Sequence, residues 1–325
     1  MSVIKANGAG SAGGDFYTYK IGQSLRFNDD DSAYLNQTPG SAGNRRTWTW
    51  SCWVKLGKIN HWTTLFSSGA DSSNKTRLKF DDSNGRLFFD DEASGSSTQR
   101  FYTSQFFRDP SAWYNIVLKV DSTQSTNTDR VKIYVNGTQV TSFYQATYPS
   151  QNLEYNVNTA NPFEIGRQIG GSDYWDGYLA EIVFIDGTAY DASNFGETKD
   201  GVWVPKSSSG LTFGDNGFYL PFDDSSAIGD DESSNTNDFT ANNFSAHDVV
   251  PDSPTNNFCT LNPVAGNGDT LTEGNLKGEG DSGSSKFQGW TGTFAMSSGK
   301  WYWEVNAVDV NNIMQIGVHP TGTGF

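Results

Sequence analysis

WYNIVLKVDSTQSTNTDRVKIYVNG, residues 113–137, reads as two strands joined by a polar loop. Ile116, Leu118 and Val120 alternate along the first run; Val131, Ile133 and Val135 alternate along the second, with Lys132 and Tyr134 between them. A period of two is the signature of half-buried strands. Asn136-Gly137 then supplies two residues that tolerate φ > 0, as a tight hairpin requires.

The same pattern extends in both directions. RTWTWSCWVKLG (46–57) places Trp48, Trp50, Cys52, Val54 and Leu56 on one strand face. HWTTLFSSG (61–69) follows, and RLKFDDSNGRLFFDD (77–91) predicts a hairpin turning near Asn84-Gly85. FEIGRQIGG (163–171) and GYLAEIVFIDGTAY (177–190) close the series. In the last run Ile182 and Phe184 are read on one face, with Leu179, Val183 and Ile185 on the other, so this strand is expected to be central and covered on both sides. No amphipathic helix emerges beyond a turn near DASNFGE (191–197). The expectation is an all-β fold, an antiparallel jelly-roll sandwich of ten or more strands between residues 24 and 190.

Composition agrees with that class and narrows the partners. The 14% aromatic share favours strands over helices. A net charge of −15 opposes phosphate backbones and anionic membranes, so nucleic acid is disfavoured as a partner. No apolar run is long enough for membrane insertion, and MSVIKANGAGSAGG (1–14) lacks the apolar stretch of a signal peptide. Synthesis in a cytoplasm without a signal peptide is the resulting expectation. Two cysteines, Cys52 and Cys259, are too few for a disulfide framework, and Cys52 is expected as a buried thiol.

Catalytic signatures are missing from the sequence. No E-x-D-x-E or E-x-D-x-x-E strand sets two carboxylates across a glycosidic bond. His61, His247 and His319 are scattered and lack the context of a zinc or nucleophile motif. GNGDTLTEGNLKGEGDSG (266–283) is a loop without a P-loop lysine. The chain is therefore not expected to be an enzyme.

Residues 1–23 form a Gly/Ala/Ser-rich arm whose Ile4, Phe16, Tyr17 and Tyr19 would order against a partner surface. The sandwich is assigned to 24–195 and an extended linker with short strands to 196–262. Residues 263–325 begin a second β-sandwich, in which Trp301, Trp303 and Val305, then Met314, Ile316 and Val318, share strand faces.

Three motifs in order, WTWSCWVK, WYNIVLKVD…RVKIYVNG and FEIGRQIGG…DGYLAEIVFIDG, resemble the laminin-G and pentraxin branch of the concanavalin A-like lectin/glucanase families. GKWYWEV…IGV resembles the opening of a SPRY domain, of which only the N-terminal part is present, so continuation in a longer polypeptide is expected. The leader, SLRFNDDDSAYL (24–35) and the NDFTANN…DSPTNNF…TLNP bridge together resemble virion proteins of marine bacteriophages.

That resemblance implies a structural virion protein, a tail fibre or capsid-attached fibre. It would anchor to other virion proteins by its N-terminus and present lectin-like modules to a host-surface glycan or protein. It also implies a homo-oligomer, with a trimer favoured. The alternatives are a cell-surface or secreted lectin-like adhesin and, behind it, a glycan depolymerase. The candidate glycan platform joins two loops, His61, Trp62, Asp71 and Asn74 with Asp173, Tyr174, Trp175 and Asp176. Aromatic faces and planar carboxylates on sandwich-edge loops hold sugars, and the acids would admit Ca2+. The competing reading makes both tryptophans edge-of-core residues and the acids turn formers.

Overall fold

The computed structural model describes residues 16–266, 270–280, 289–308 and 315–318, and its core is two eight-stranded antiparallel sheets packed face to face. The first sheet runs, in spatial order, Thr138–Gln139, Val131–Val135, Tyr114–Asp121, Thr47–Leu56, Gly177–Asp186, Ser24–Phe27 and Val249–Val250; Phe218–Leu220 also pairs with Gly177–Asp186. The second runs Phe143–Thr147, Ser96–Phe106, Arg86–Ala93, Asn74–Phe80, Thr63–Asp71, Phe163–Ile165, Tyr34–Gln37 and Thr240–Asn242. This is the jelly-roll sandwich expected from the strand pattern.

Alternation decides what lies between the sheets. Trp48, Trp50, Cys52, Val54 and Leu56 all enter the central core, as do Ile116, Leu118, Val120, Val131, Ile133 and Val135. The Trp50 ring lies 4.6 Å from Phe66 and 6.0 Å from Phe163, and Trp48 lies 6.0 Å from Phe89, so two tryptophans of one sheet key into phenylalanines of the other. Asn136 and Gly137 adopt φ of 48° and 74°, the left-handed pair that turns Val131–Val135 back onto Thr138–Gln139. Cys52 is buried, which pushes its thiol up to about 12, and both cysteines are free.

The central strand Gly177–Asp186 departs from simple alternation. Ala180 pairs with Trp53 but Val183 pairs with Ser51, so Glu181 and Ile182 together oppose Cys52 in a β-bulge, and Glu181 takes φ 50°. The bulge shifts the parity: Leu179 joins Ile182 and Phe184 in the central core, not Val183 and Ile185 as the sequence reading had it. It also turns the Glu181 carboxylate to the outer side, where it accepts hydrogen bonds from Tyr19 Oη at 2.9 Å and Tyr219 Oη at 2.8 Å. Burial raises this carboxyl to about 7. A cavity of about 310 Å³ opens beside it, lined in part by Ser209, Asp223 and Glu232.

The domain boundaries move outward. Residues 196–262 are not an extended linker: Phe218–Leu220 and Val249–Val250 extend the first sheet and Thr240–Asn242 the second. Phe195, Trp203, Phe213 and Tyr219 pack over Val117, Val183 and Ile185, covering the outer face of the first sheet. Lys55 is fully buried there; its Nζ donates to Asp252 Oδ2 at 2.7 Å, Asn257 Oδ1 at 2.9 Å and Phe258 O at 2.7 Å. Trp113 Nε1 donates to the other oxygen of Asp252 at 3.0 Å. An apolar sheet face cannot stand in water, and the polar-looking segment carries enough aromatic residues to cover it.

Residues 16–22 also belong to the sandwich. Ile21 is buried, its carbonyl accepts from Ser253 Oγ at 2.7 Å, and Tyr19 is held through Glu181. Phe16 and Tyr17 are half-buried against one another. The expectation of an arm ordered only by a partner is thus corrected for these residues; Ile4 lies outside the described residues. Beyond residue 258, Leu261–Gly266 pairs with Trp290–Gly292, and the hairpin Thr270–Thr272/Lys277–Glu279 rests its turn on the sandwich through Tyr178 Oη, which donates to Gly274 O at 2.7 Å. Residues 301–308 form no strand, and Trp301, Trp303, Val305, Ile316 and Val318 are exposed, so the expected second-sandwich strands are not formed among the described residues; Met314 lies outside them.

Two outcomes test this architecture. Asp252→Ala leaves Lys55 buried without its counter-charge and is expected to cost about 3–5 kcal/mol in urea unfolding; a loss below about 1 kcal/mol would remove the clamp from the account. Folding raises the Glu181 carboxyl from 4.5 to about 7, so the folded chain holds that proton more tightly than the unfolded one. Its contribution is complete below the lower value and is lost as pH rises through the upper, at up to about 1.4 kcal/mol per pH unit. Glu181→Gln should therefore gain stability relative to wild type between about pH 5 and 7.5, and parallel melting curves across that range would refute the assignment.

Candidate functional site

The two sheets differ on their outer sides. The first is covered, whereas the outer side of the second, built from the alternate positions of its central strands, passes from side chains buried against one another (Lys75, Lys79, Phe88 and Asp90) to an end left open to solvent at Phe106 and Tyr144. In Asn74–Phe80, Leu78 and Phe80 enter the core, leaving Lys75, Arg77 and Lys79 on the opposite side. In Arg86–Ala93, Leu87 and Phe89 go inward and Arg86, Phe88, Asp90 and Glu92 outward. In Ser96–Phe106, Phe101 goes inward and Arg100, Tyr102 and Phe106 outward, with exposed Arg108 continuing the alternation. Cross-strand register then lines up Arg77, Asp90 and Arg100 in one row and Lys79, Phe88 and Tyr102 in the next.

The first row and its neighbours are an ionic lattice. Arg77 grips Asp90 in a two-pronged contact, Nε to Oδ1 at 2.7 Å and Nη2 to Oδ2 at 3.0 Å, and reaches Glu92 Oε1 at 2.7 Å and Gln168 Oε1 at 2.6 Å. Lys75 meets Glu92 at 2.7 Å, and Arg100 lies 3.5 Å from Asp90. Burial raises the Asp90 carboxyl and, with Arg77 alongside, lowers the Lys79 ammonium.

The second row is aromatic. Lys79 Nζ sits 3.9 Å from the centre of the Trp62 ring and 3.0 Å from Asp173 Oδ2. Trp62 meets Phe88 at 5.9 Å, Phe88 meets Tyr102 at 4.4 Å and Tyr102 meets Tyr144 at 6.5 Å. Arg86 then lies 4.4 Å from both the Tyr144 and Phe106 ring centres, and Arg108 4.4 Å from Phe106. Tyr144 is 71% and Phe106 42% exposed, so this end of the row faces solvent.

The eight residues expected from the sequence divide. The two loops do meet, through Thr64 N donating to Asp173 O at 3.0 Å, and Trp62 and Asp173 converge on Lys79. His61 is exposed beside them, its Nδ1 3.1 Å from Trp62 O. Asp71 and Asn74 lie at the other end of Thr63–Asp71, about 30 Å along an extended strand. There they form a hairpin turn: Asp71 Oδ1 accepts from Ser73 N at 2.7 Å and Asn74 Nδ2 at 3.0 Å. Tyr174 is half-buried, 6.4 Å from Tyr34. Trp175 is fully buried against Phe80, and Asp176 is 1% exposed. Burial beside Asp29 holds the Asp176 carboxyl well above the carboxylate range. Both are thus corrected from platform to core, because the loop's return to the strand at Gly177 turns them inward. Among the described residues no group of three or more His, Cys, Asp or Glu could hold a metal ion.

The solvent-facing residues Arg86, Tyr102, Phe106, Arg108 and Tyr144 were missed. Their signal lay in QRFYTSQFFR (99–108), where Arg100, Tyr102, Phe106 and Arg108 alternate with Phe101 and Phe107. An aromatic at an outward strand position with no covering segment marks a surface kept for contact.

Comparison with known proteins places this geometry. No curated protein matches the chain. Among solved structures, a candidate carbohydrate binding protein of Bacteroides ovatus is similar at 15% identity and a TM-score of 0.41, covering 69% of this chain and 59% of its own. A heptameric SAP-like pentraxin of Limulus polyphemus is similar at 17% identity and 0.37, covering 53% and 80%. Domains LG4-5 of the mouse laminin alpha1 chain follow at 12% and 0.38, covering 66% and 50%. The chain thus spans less than two thirds of the first and third of these. A family match covers residues 28–192, half the sequence, from Asn28, just after the strand Ser24–Phe27, to the turn that follows the central bulged strand. By that match, this chain belongs to the laminin G-type domains of the concanavalin A-like lectin/glucanases superfamily.

Proposed function

We propose that this chain is a non-catalytic glycan-binding protein whose platform is the open face of the second sheet, carried on a bacteriophage fibre that recognises a host surface. The observation that carries the reading is the exposed row Tyr144, Arg86, Phe106 and Arg108. Sugar rings present C–H faces that stack on aromatics and hydroxyls that take planar hydrogen bonds, and this row offers both on a rigid sheet. Binding without hydrolysis fits the same face. Asp90 is held by Arg77, Glu92 by Lys75 and Arg77, and Asp173 by Lys79, which leaves none of these acids free to protonate a glycosidic oxygen.

The fibre context rests on the sequence alone. The Gly/Ala/Ser leader and the polar bridge resemble those of phage virion proteins, with the residues before Phe16 as the virion anchor and a trimer as the assembly. In this reading the platform is what meets the host.

Tyr144→Ala tests the platform, since this side chain is exposed and its loss should spare the fold. Binding of the full chain to bacterial surface polysaccharides, read by calorimetry, is expected to weaken at least tenfold, about 1.4 kcal/mol, with the melting temperature unchanged. Undiminished binding would move the platform elsewhere, and release of sugars from the bound polysaccharide would overturn the non-catalytic reading.

A further inference from the structure

We propose that the glycan taken by this face is anionic, its carboxylate or sulfate group held by Arg86 and Arg108 while a sugar ring stacks on Phe106 or Tyr144. This rests on the reading of the open face as a glycan platform and adds the charge of the ligand.

Lys75, Arg77, Lys79 and Arg100 on this face each have a carboxylate within 4 Å. Arg86 and Arg108 have none among the described residues. Acids outnumber bases 37 to 22 in this chain, so two neighbouring guanidiniums without a counter-ion run against the composition. The acids near them in sequence are engaged elsewhere: Asp81 Oδ1 accepts from the backbone of Asn84 and Arg86, Asp82 Oδ1 from Ser83 Oγ, Asp90 is held by Arg77, and Asp109 Oδ1 accepts from Ser111 N and Oγ.

Geometry adds that both guanidiniums stack on one ring and that Arg86 is fixed in place. Each guanidinium carbon lies 4.4 Å from the centre of the Phe106 ring, so the two are no more than about 9 Å apart. Arg86 is further held by Tyr144 at 4.4 Å and by Nη1, which donates to Thr103 O at 2.8 Å and Ser104 O at 3.2 Å. Its Nε and Nη2 have no recorded partner. A guanidinium is a pure donor whose fork matches a carboxylate or sulfate, and stacking on rings fixes that fork before the ligand arrives. The chain's net charge of −15 does not forbid such a ligand, because beyond a Debye length of about 10 Å the field is screened and two local cations prevail.

The test uses the full chain with four polymers: polygalacturonate and alginate for carboxylates, dextran sulfate for sulfate esters, and dextran as the neutral control. Retention of a charged polymer but not of dextran is expected, with affinity falling between 50 and 300 mM salt. Arg108→Gln, exposed and outside any hydrogen bond recorded for its side chain, should weaken binding at least tenfold at unchanged melting temperature, and Arg108→Lys only in part. Arg86→Gln should act likewise wherever it folds. Binding to the carboxylate polymers alone, or to dextran sulfate alone, names the group and supports the proposal. Binding of neutral dextran through Tyr144, indifferent to Arg86→Gln and Arg108→Gln, would overturn it and leave the platform standing. Polyanion binding that survives both arginine substitutions and Tyr144→Ala would overturn both.

Discussion

The packing of Trp48 and Trp50 against Phe66, Phe89 and Phe163 is the contact on which the rest depends. It fixes the two sheets face to face, and with them the register of every strand, because a one-residue slip would send an entire apolar set to the wrong side. Phe/Trp truncations in such a core cost about 3–5 kcal/mol. Once Leu78, Phe80, Leu87, Phe89 and Phe101 are committed inward, Arg77, Lys79, Arg86, Phe88, Arg100 and Tyr102 can only face out. The platform is the reverse side of the core.

What distinguishes the two outer faces is the chain after residue 190. Its aromatics close over the first sheet, and the buried pair Lys55–Asp252 with the Glu181 cluster fasten that cover down. A buried ion pair of this kind adds little net stability over apolar residues of the same volume, but it specifies where the cover lands. Of that later chain the second sheet receives Thr240–Asn242 along its edge, and the end of its outer side at Phe106 and Tyr144 stays in solvent. The proposed platform lies on the side left uncovered.

Electrostatics on the open face is graded from one end to the other. Around Arg77, Asp90 and Glu92 the charges are matched and mostly buried, which stiffens the sheet; toward Phe106 they are unmatched and exposed. Unpaired charge is met only where the lattice has run out of acids.

Much of the fold was legible in order of residues. The period-two runs at 46–57, 77–91 and 113–137 gave strands, core positions and the Asn136-Gly137 turn, because those depend on local alternation and backbone preference. Less of the site was. Trp62 and Asp173, chosen by residue type, meet at Lys79, whereas Trp175 and Asp176, chosen on the same grounds, lie in the core. Composition cannot tell the two outcomes apart, since an aromatic next to an acid suits a loop tip and a loop base alike. The bulge at Glu181, the cover drawn from a segment that looked like linker, and the convergence of Arg86, Phe106, Arg108 and Tyr144 all required contacts between residues far apart in sequence. By itself the sequence determined which side chains must leave water. Only the tertiary structure decided which of the two outer faces would remain in it, because that turns on where a covering segment finds its partners.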